Sequence, residues 1–159
     1  MVSIYTAGPL GFSEPGRRYH REVLLPALAD AGFEALDPWA LPLELEAVLA
    51  LPVGDAERLV RLPGVNAEIA RRNAAMITAS DAMLAVLDGT DVDSGTAAEI
   101  GYAAALAKPI VGLRTDFRIS GDNEAATVNL QVEWFITESG GSIVSDLGTA
   151  VARCRACIR

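Results

Sequence analysis

The chain has 159 residues, 51% of them hydrophobic, and 13 Lys and Arg against 21 Asp and Glu give a formal charge of −8. That length suits one domain with a sizeable core. The acidic balance, with no basic run, excludes nucleic acid and an anionic membrane surface as partners, because both need clustered cations.

In chain order, Val2 to Thr6 reads as a strand, and the start Met1-Val2-Ser3-Ile4-Tyr5 lacks the basic, long apolar pattern of a secretory signal. No apolar stretch is long enough to span a bilayer, so no membrane association and a cytoplasmic location are expected. A Gly/Pro-rich loop runs from Gly8 to Gly16. An amphipathic helix follows over Arg17 to Ala31, with Tyr19, Val23, Ala27 and Leu28 on one face and Gly32 as its cap. Phe33 to Leu36 is the second strand, and Asp37-Pro38-Trp39 opens a loop. Leu43 to Leu51 forms a short helix, and Val65 to Thr78 a longer one facing inward through Val65, Ile69 and Ala70 or Met76 and Ile77. Ala82 to Leu87 is a buried strand of the parallel type. A polar loop, Asp88 to Gly95, leads to a helix over Thr96 to Ala107 that stops at Lys108-Pro109. Ile110 to Leu113 is the next strand, Arg114 to Thr127 a polar loop, and Val128 to Thr137 a helix. Ser142 to Val144 is a last short strand, and Asp146 caps a final helix. On that helix Cys154 and Cys157 form one C-x-x-C with no second pair and only distant His20, so they read as two reduced cysteines.

Such alternation predicts one α/β domain over residues 1–159: a doubly wound, mostly parallel five-stranded sheet with helices on both faces. Ligands in such folds bind beyond the carboxyl ends of the strands, which gathers the Gly8, Asp37 and Asp88 loops around one cleft, with Asp37, Trp39 and Glu44 near its floor.

The segment from Gly95 to Ala107 is almost wholly small or apolar, and Glu99 is its one charge. It should be packed on most sides. No residue three or four positions from Glu99 can pair with it, so the carboxylate needs a wet, polar site. Thr96, Glu99 and Tyr102 form a polar stripe that starts at the cleft, Gly95 leaves room for a ligand, and the helix start favours an ionised nucleophile. The alternative is a stripe that faces solvent. Asp88, Asp91, Asp93 and Ser94 lie just ahead. A second acid suits glycosyl transfer, while N-capping explains Asp93 or Ser94 equally well, and a solvated turn explains Asp88 and Asp91. Neither the dinucleotide glycine fingerprint nor a phosphate-binding P-loop is present, and nothing asks for a metal.

Three segments together resemble the nucleoside 2-deoxyribosyltransferases: Tyr5-Thr6-Ala7-Gly8-Pro9, Asp93-Ser94-Gly95-Thr96-Ala97-Ala98-Glu99-Ile100-Gly101, and Asn129-Leu130-Gln131-Val132-Glu133. Arg72-Asn73 and Ser80-Asp81-Ala82-Met83-Leu84 also fit the family's pattern. The resemblance implies a flavodoxin-like or Rossmann-like fold and an enzyme of nucleotide salvage. Deoxynucleosides and free nucleobases would be its substrates, with no cofactor and no metal. It implies that Glu99 attacks C1′ to form a deoxyribosyl ester, that Asp93 is the acid for the leaving base, and that Tyr5 bonds the nucleophile. A second base would then attack, with retention of configuration. Where some members carry an aspartate, this chain has Asn73, which can hydrogen-bond but cannot act as an acid. The resemblance also implies a homo-oligomer, a dimer or larger even assembly, whose neighbouring subunit completes the pocket through Asn129 and Glu133. Capping of the following helix is the alternative for Asn129. Gly8, Asp37, Asn73, Ser94, Gly95 and Thr96 complete the expected substrate-binding set.

A related group hydrolyses nucleoside 5′-monophosphates through the same type of ester. That reading needs phosphate donors, for which Ser94, Thr96 or Arg17 and Arg18 are available. A non-catalytic nucleotide-binding module and a receiver-like signalling domain are the other readings of the fold. The receiver lacks its acidic pair after the first strand, where Tyr5-Thr6-Ala7-Gly8 stands.

Overall fold

The computed structural model describes residues 1–158. Five strands form one sheet in the order β2-β1-β3-β4-β5, and every pairing is parallel. They are β1 (Val2–Ala7), β2 (Phe33–Leu36), β3 (Ala82–Val86), β4 (Ile110–Leu113) and β5 (Ile143–Val144). The helices are α1 (Glu14–Tyr19) and α2 (Leu25–Asp30), α3 (Leu43–Ala50), α4 (Ala56–Ala79), α5 (Ser94–Ala105), α6 (Leu130–Glu138) and α7 (Leu147–Cys157).

Side chains alternate across the sheet, so one strand feeds two cores. Tyr5, Ala7, Met83, Ala85 and Leu87 pack with Ile77 of α4, Ile100 and Ala103 of α5, and Val132 and Ile136 of α6. Ile4, Ala82, Leu84 and Val86 pack on the other face with Leu24, Leu28 of α2, and Ala150 and Cys154 of α7. Every residue of the central β3 is buried. That is why it reads as an unbroken apolar run. Cys154 is fully buried, and burial pushes its thiol up to about 12. Cys157 is a free thiol whose Sγ lies on the Gly140 carbonyl at 3.2 Å.

Four local expectations are corrected. The Gly8–Gly16 loop contains a 3-10 turn (Pro9–Phe12), and α1 already starts at Glu14, where the Ser13 hydroxyl accepts from Gly16 N at 3.1 Å. A π-helical turn, His20–Leu24, joins α1 to α2. Its extra residue rotates the face, so His20, Leu24 and Leu28 are buried and Val23 is 43% exposed. α4 begins nine residues before Val65 and runs through Pro63. The Arg58 guanidinium donates to the carbonyls of Val48, Leu49 and Leu51, and this tie to α3 holds the early turns despite Pro63-Gly64. Ala70 on α4 is exposed. Finally, α5 is not packed on most sides: Tyr102 and Ala105 are exposed, and the chain turns out at Ala107 before Lys108-Pro109.

The order 2-1-3-4-5 has its switch point between β1 and β3, because the crossovers leaving them run to opposite faces. The carboxyl ends of those two strands therefore part and open a crevice.

Candidate active site

β1 carries Tyr5 into the α4–α6 face, where it is fully buried and in register with Met83 of β3. Its hydroxyl donates to Glu99 Oε1 at 2.7 Å. Asn73, on α4, donates from Nδ2 to the same oxygen at 3.4 Å, which is long. The start of α5 supplies Asp93 as N-cap. Asp93 Oδ2 accepts from Thr96 N at 3.0 Å and from Thr96 Oγ1 at 3.1 Å, while Oδ1 has no hydrogen-bond partner among the described residues.

Glu99, Asp93, Asn73, Thr96, Gly95 and Gly8 form the polar side of one cavity of about 330 Å³; Phe12, Pro38, Trp39, Leu41, Leu49 and Ile69 form its apolar side. That volume suits a small ligand. Gly8 is required by geometry. Its φ is 149°, and an added Cβ would lie 2.9 Å from Val86 Cβ. A Cβ on Gly11 would fall 2.1 Å from the Trp39 ring, so only glycine lets the indole lie against this loop. Phe12 then meets Trp39 edge-on, with centroids 4.9 Å apart.

Burial raises the Glu99 carboxyl above its ordinary value near 4.5; the Tyr5 hydrogen bond opposes this, the Asp93 charge adds to it, and Asn73 opposes it. Burial and then the Glu99 charge raise the Tyr5 phenol strongly, so it stays a protonated donor. Among the described residues no Lys, Arg or His lines the cavity.

Several expected site residues stand elsewhere. Asp37 does not line this cavity. Its Oδ1 accepts from Trp39 N at 2.9 Å and lies 3.0 Å from His20 Nε2, so it shapes the turn that presents Trp39. Ser94 is exposed and off the cavity. The Thr96-Glu99-Tyr102 stripe divides: Thr96 is buried, and the Tyr102 hydroxyl is out at Thr78 Oγ1, 3.2 Å away. Within this chain Asn129 caps α6, accepting from Gln131 N and Val132 N. Glu133 Oε2 accepts from Thr127 N at 2.7 Å. Asp88 pins the loop after β4 through Thr115 and Asp116, and Arg17 donates to the Gly11 carbonyl. Among the described residues no group of three or more His, Cys, Asp or Glu could hold a metal ion. No helix among them is long and apolar enough to cross a membrane.

The apolar wall was the least visible part in the sequence. Phe12 and Trp39 carried a signal, since each is an aromatic in a loop at the carboxyl edge of the sheet. Leu49 and Ile69 carried none, because a leucine or isoleucine on a helix reads as core.

Residues 4–133 match the family model described as nucleoside 2-deoxyribosyltransferase. The chain belongs to that family. It is an enzyme of the nucleoside 2-deoxyribosyltransferase type, and the family acts on nucleosides and nucleobases. Solved structures agree. A conserved protein from Enterococcus faecalis V583 is 27% identical with a TM-score of 0.70, over 98% of each chain. The 2-desoxiribosyltransferase from Leishmania mexicana is 25% identical with a TM-score of 0.65, over 96% of this chain and 95% of that one. A CMP N-glycosidase from Clostridium botulinum shares the fold at 17% identity and a TM-score of 0.57, over 97% and 98%. No curated protein matches the sequence.

Proposed function

We propose that this deoxyribosyltransferase works by double displacement, with Glu99 as the nucleophile. A Glu99 oxygen bonds to C1′ of a 2′-deoxynucleoside as the C1′–N bond breaks. The bonding pair leaves on the base nitrogen, which takes a proton by way of Asp93. A ring nitrogen of the second base then attacks C1′ from the vacated side. The ester bond breaks, the Glu99 carboxylate returns, and the incoming base gives up its proton. Two inversions leave the configuration retained. Tyr5 holds the carboxylate, and the Phe12–Trp39 wall takes the flat face of a base.

The observation that carries this reading is a partly buried acid, bonded to Tyr5 and open to a cavity that holds a second acid. Hydrolysis of nucleoside monophosphates is the weaker alternative, because among the described residues two carboxylates and no cation line the cavity, a poor match for a phosphate dianion. Homo-oligomerisation is supported by apolar surface on α5 and α6: Leu130 is 52% exposed and Trp134 53%, and a groove beside them is lined by Gly101, Ala104 and Phe135. Glu133 lies on α6 and Asn129 caps it, so the two residues proposed to complete a neighbour's pocket belong to the same element as this apolar surface.

Mass spectrometry after mixing the protein with deoxycytidine tests the reading. A deoxyribosyl adduct on the peptide holding Glu99 is expected, together with deoxyadenosine formation when adenine is added. Cleavage of deoxycytidine monophosphate without base exchange would replace transfer by hydrolysis, and an adduct elsewhere would remove Glu99 from its role.

A further inference from the structure

We propose that Asn73 is a positioning residue: its amide and the Tyr5 hydroxyl converge on Glu99 Oε1, which leaves Oε2 as the oxygen that meets the sugar carbon. This inference rests on the reading of Glu99 as nucleophile. Two donors reach Oε1 from different elements, Tyr5 from β1 at 2.7 Å and Asn73 from α4 at 3.4 Å. Oε2 accepts no hydrogen bond among the described residues, and Glu99 borders the cavity. The terminal torsion of a glutamate is soft and roughly two-fold. One donor fixes an oxygen, but a second from another direction fixes the plane of the carboxylate as well. The two oxygens are then no longer equivalent.

In this chain the amide at residue 73 serves the same geometry. The groups facing Glu99 are Tyr5 from β1, Asn73 from α4 and Asp93 from the start of α5. His20 and Asp37 lie off the cavity, and no cation among the described residues lines it. Burial and Asp93 both work against the charged form of Glu99, so donors must do what a cation does elsewhere. An aspartate at position 73 would set an acceptor against an acceptor and add a like charge. The long Asn73 contact has room to tighten when substrate closes the pocket.

The test is a titration of the free protein labelled with ¹³C at glutamate carboxyls, with Glu99→Gln used to assign the resonance. In Asn73→Asp the Glu99 midpoint should rise by about one pH unit or more. In Asn73→Ala it should rise by less, and the acid limb of kcat/KM should move up with each midpoint. Asn73→Asp adds a like charge and should raise the midpoint whatever the role of Asn73, so Asn73→Ala decides: a residue that only tied α4 to α5 would change melting temperature and leave that midpoint alone. An unchanged or lowered midpoint in Asn73→Ala would overturn the proposal. The titration needs no substrate, so its failure is separate from failure of the transfer reading, which the Glu99 adduct decides.

Discussion

Replacing Glu99 with glutamine should make the protein inactive and, near neutral pH, more stable. The amide keeps the side chain's size and can still accept from Tyr5, whose hydroxyl lies 2.7 Å from Oε1. What it removes is a carboxylate held above its ordinary value near 4.5 by burial, an effect that the Tyr5 and Asn73 bonds offset only in part. An acid whose folded pKa lies above its unfolded value binds its proton more tightly in the fold. Stability is therefore lost as pH rises from that ordinary value through the folded one, at about 1.4 kcal/mol per unit of elevation, and the deficit is complete above it. Glutamine carries no such deficit. The variant should melt above the native protein near neutral pH, by about 2–4 °C for each kcal/mol recovered in a domain of this size, and the gap should close toward about pH 4. Base exchange, followed by chromatography of the nucleosides, should fall by about a thousandfold or more. Calorimetry across that pH range decides the first half. A gap that is negative, or independent of pH, would mean that Glu99 is not a strained acid. Surviving exchange would mean that it is not the nucleophile.

Three further outcomes follow from the cavity and its surroundings. Trp39→Ala removes the indole that packs on Gly11 and Phe12, so the Michaelis constant for the nucleoside should rise about tenfold. Its cost in urea unfolding should stay below the ~3–5 kcal/mol of a fully buried aromatic. Gly8→Ala forces a Cβ to within 2.9 Å of Val86 Cβ at a φ of 149°, and should cost about 1–3 kcal/mol by the same measurement while lowering exchange. Trp134→Lys places a charge on the half-exposed face of α6, and should reduce the molecular mass seen by light scattering to that of one chain, with the far-UV spectrum unchanged.

Much of the architecture was legible because the strands are pure cases. Phe33–Leu36 and Ile110–Leu113 match their expected bounds: the second is a short apolar run buried throughout, and the first is an edge strand with Phe33 buried and Glu34 exposed. The failures share one cause, which is that tertiary contacts set what local pattern does not. Leu62-Pro63-Gly64 reads as a break, yet Arg58 anchors those turns from outside the helix. The face of α1 and α2 cannot be read at a fixed 3.6 period, since a π turn shifts it by one residue at His20–Leu24. Among site residues, Glu99 was visible as a charge with no neighbour three or four positions away. Asp37 reads equally as a contact to a base edge and as a turn former before Pro38, and its partners, His20 and its own turn at Trp39, hold it outside the cavity.

The lone acid of α5 also shows why a local absence was informative. A carboxylate without a helical partner must find its donors across the fold, and here they arrive from a strand 94 positions back in sequence and a helix 26 back. Neither donor carries charge, so Glu99 is held without being neutralised. A lysine or arginine in place of Tyr5 or Asn73 would bring the carboxyl down, but it would also neutralise the charge that a nucleophile uses. A buried phenol and an amide on one oxygen avoid that outcome. They fix the carboxylate's direction while leaving its charge, and one of its oxygens, free for the cavity.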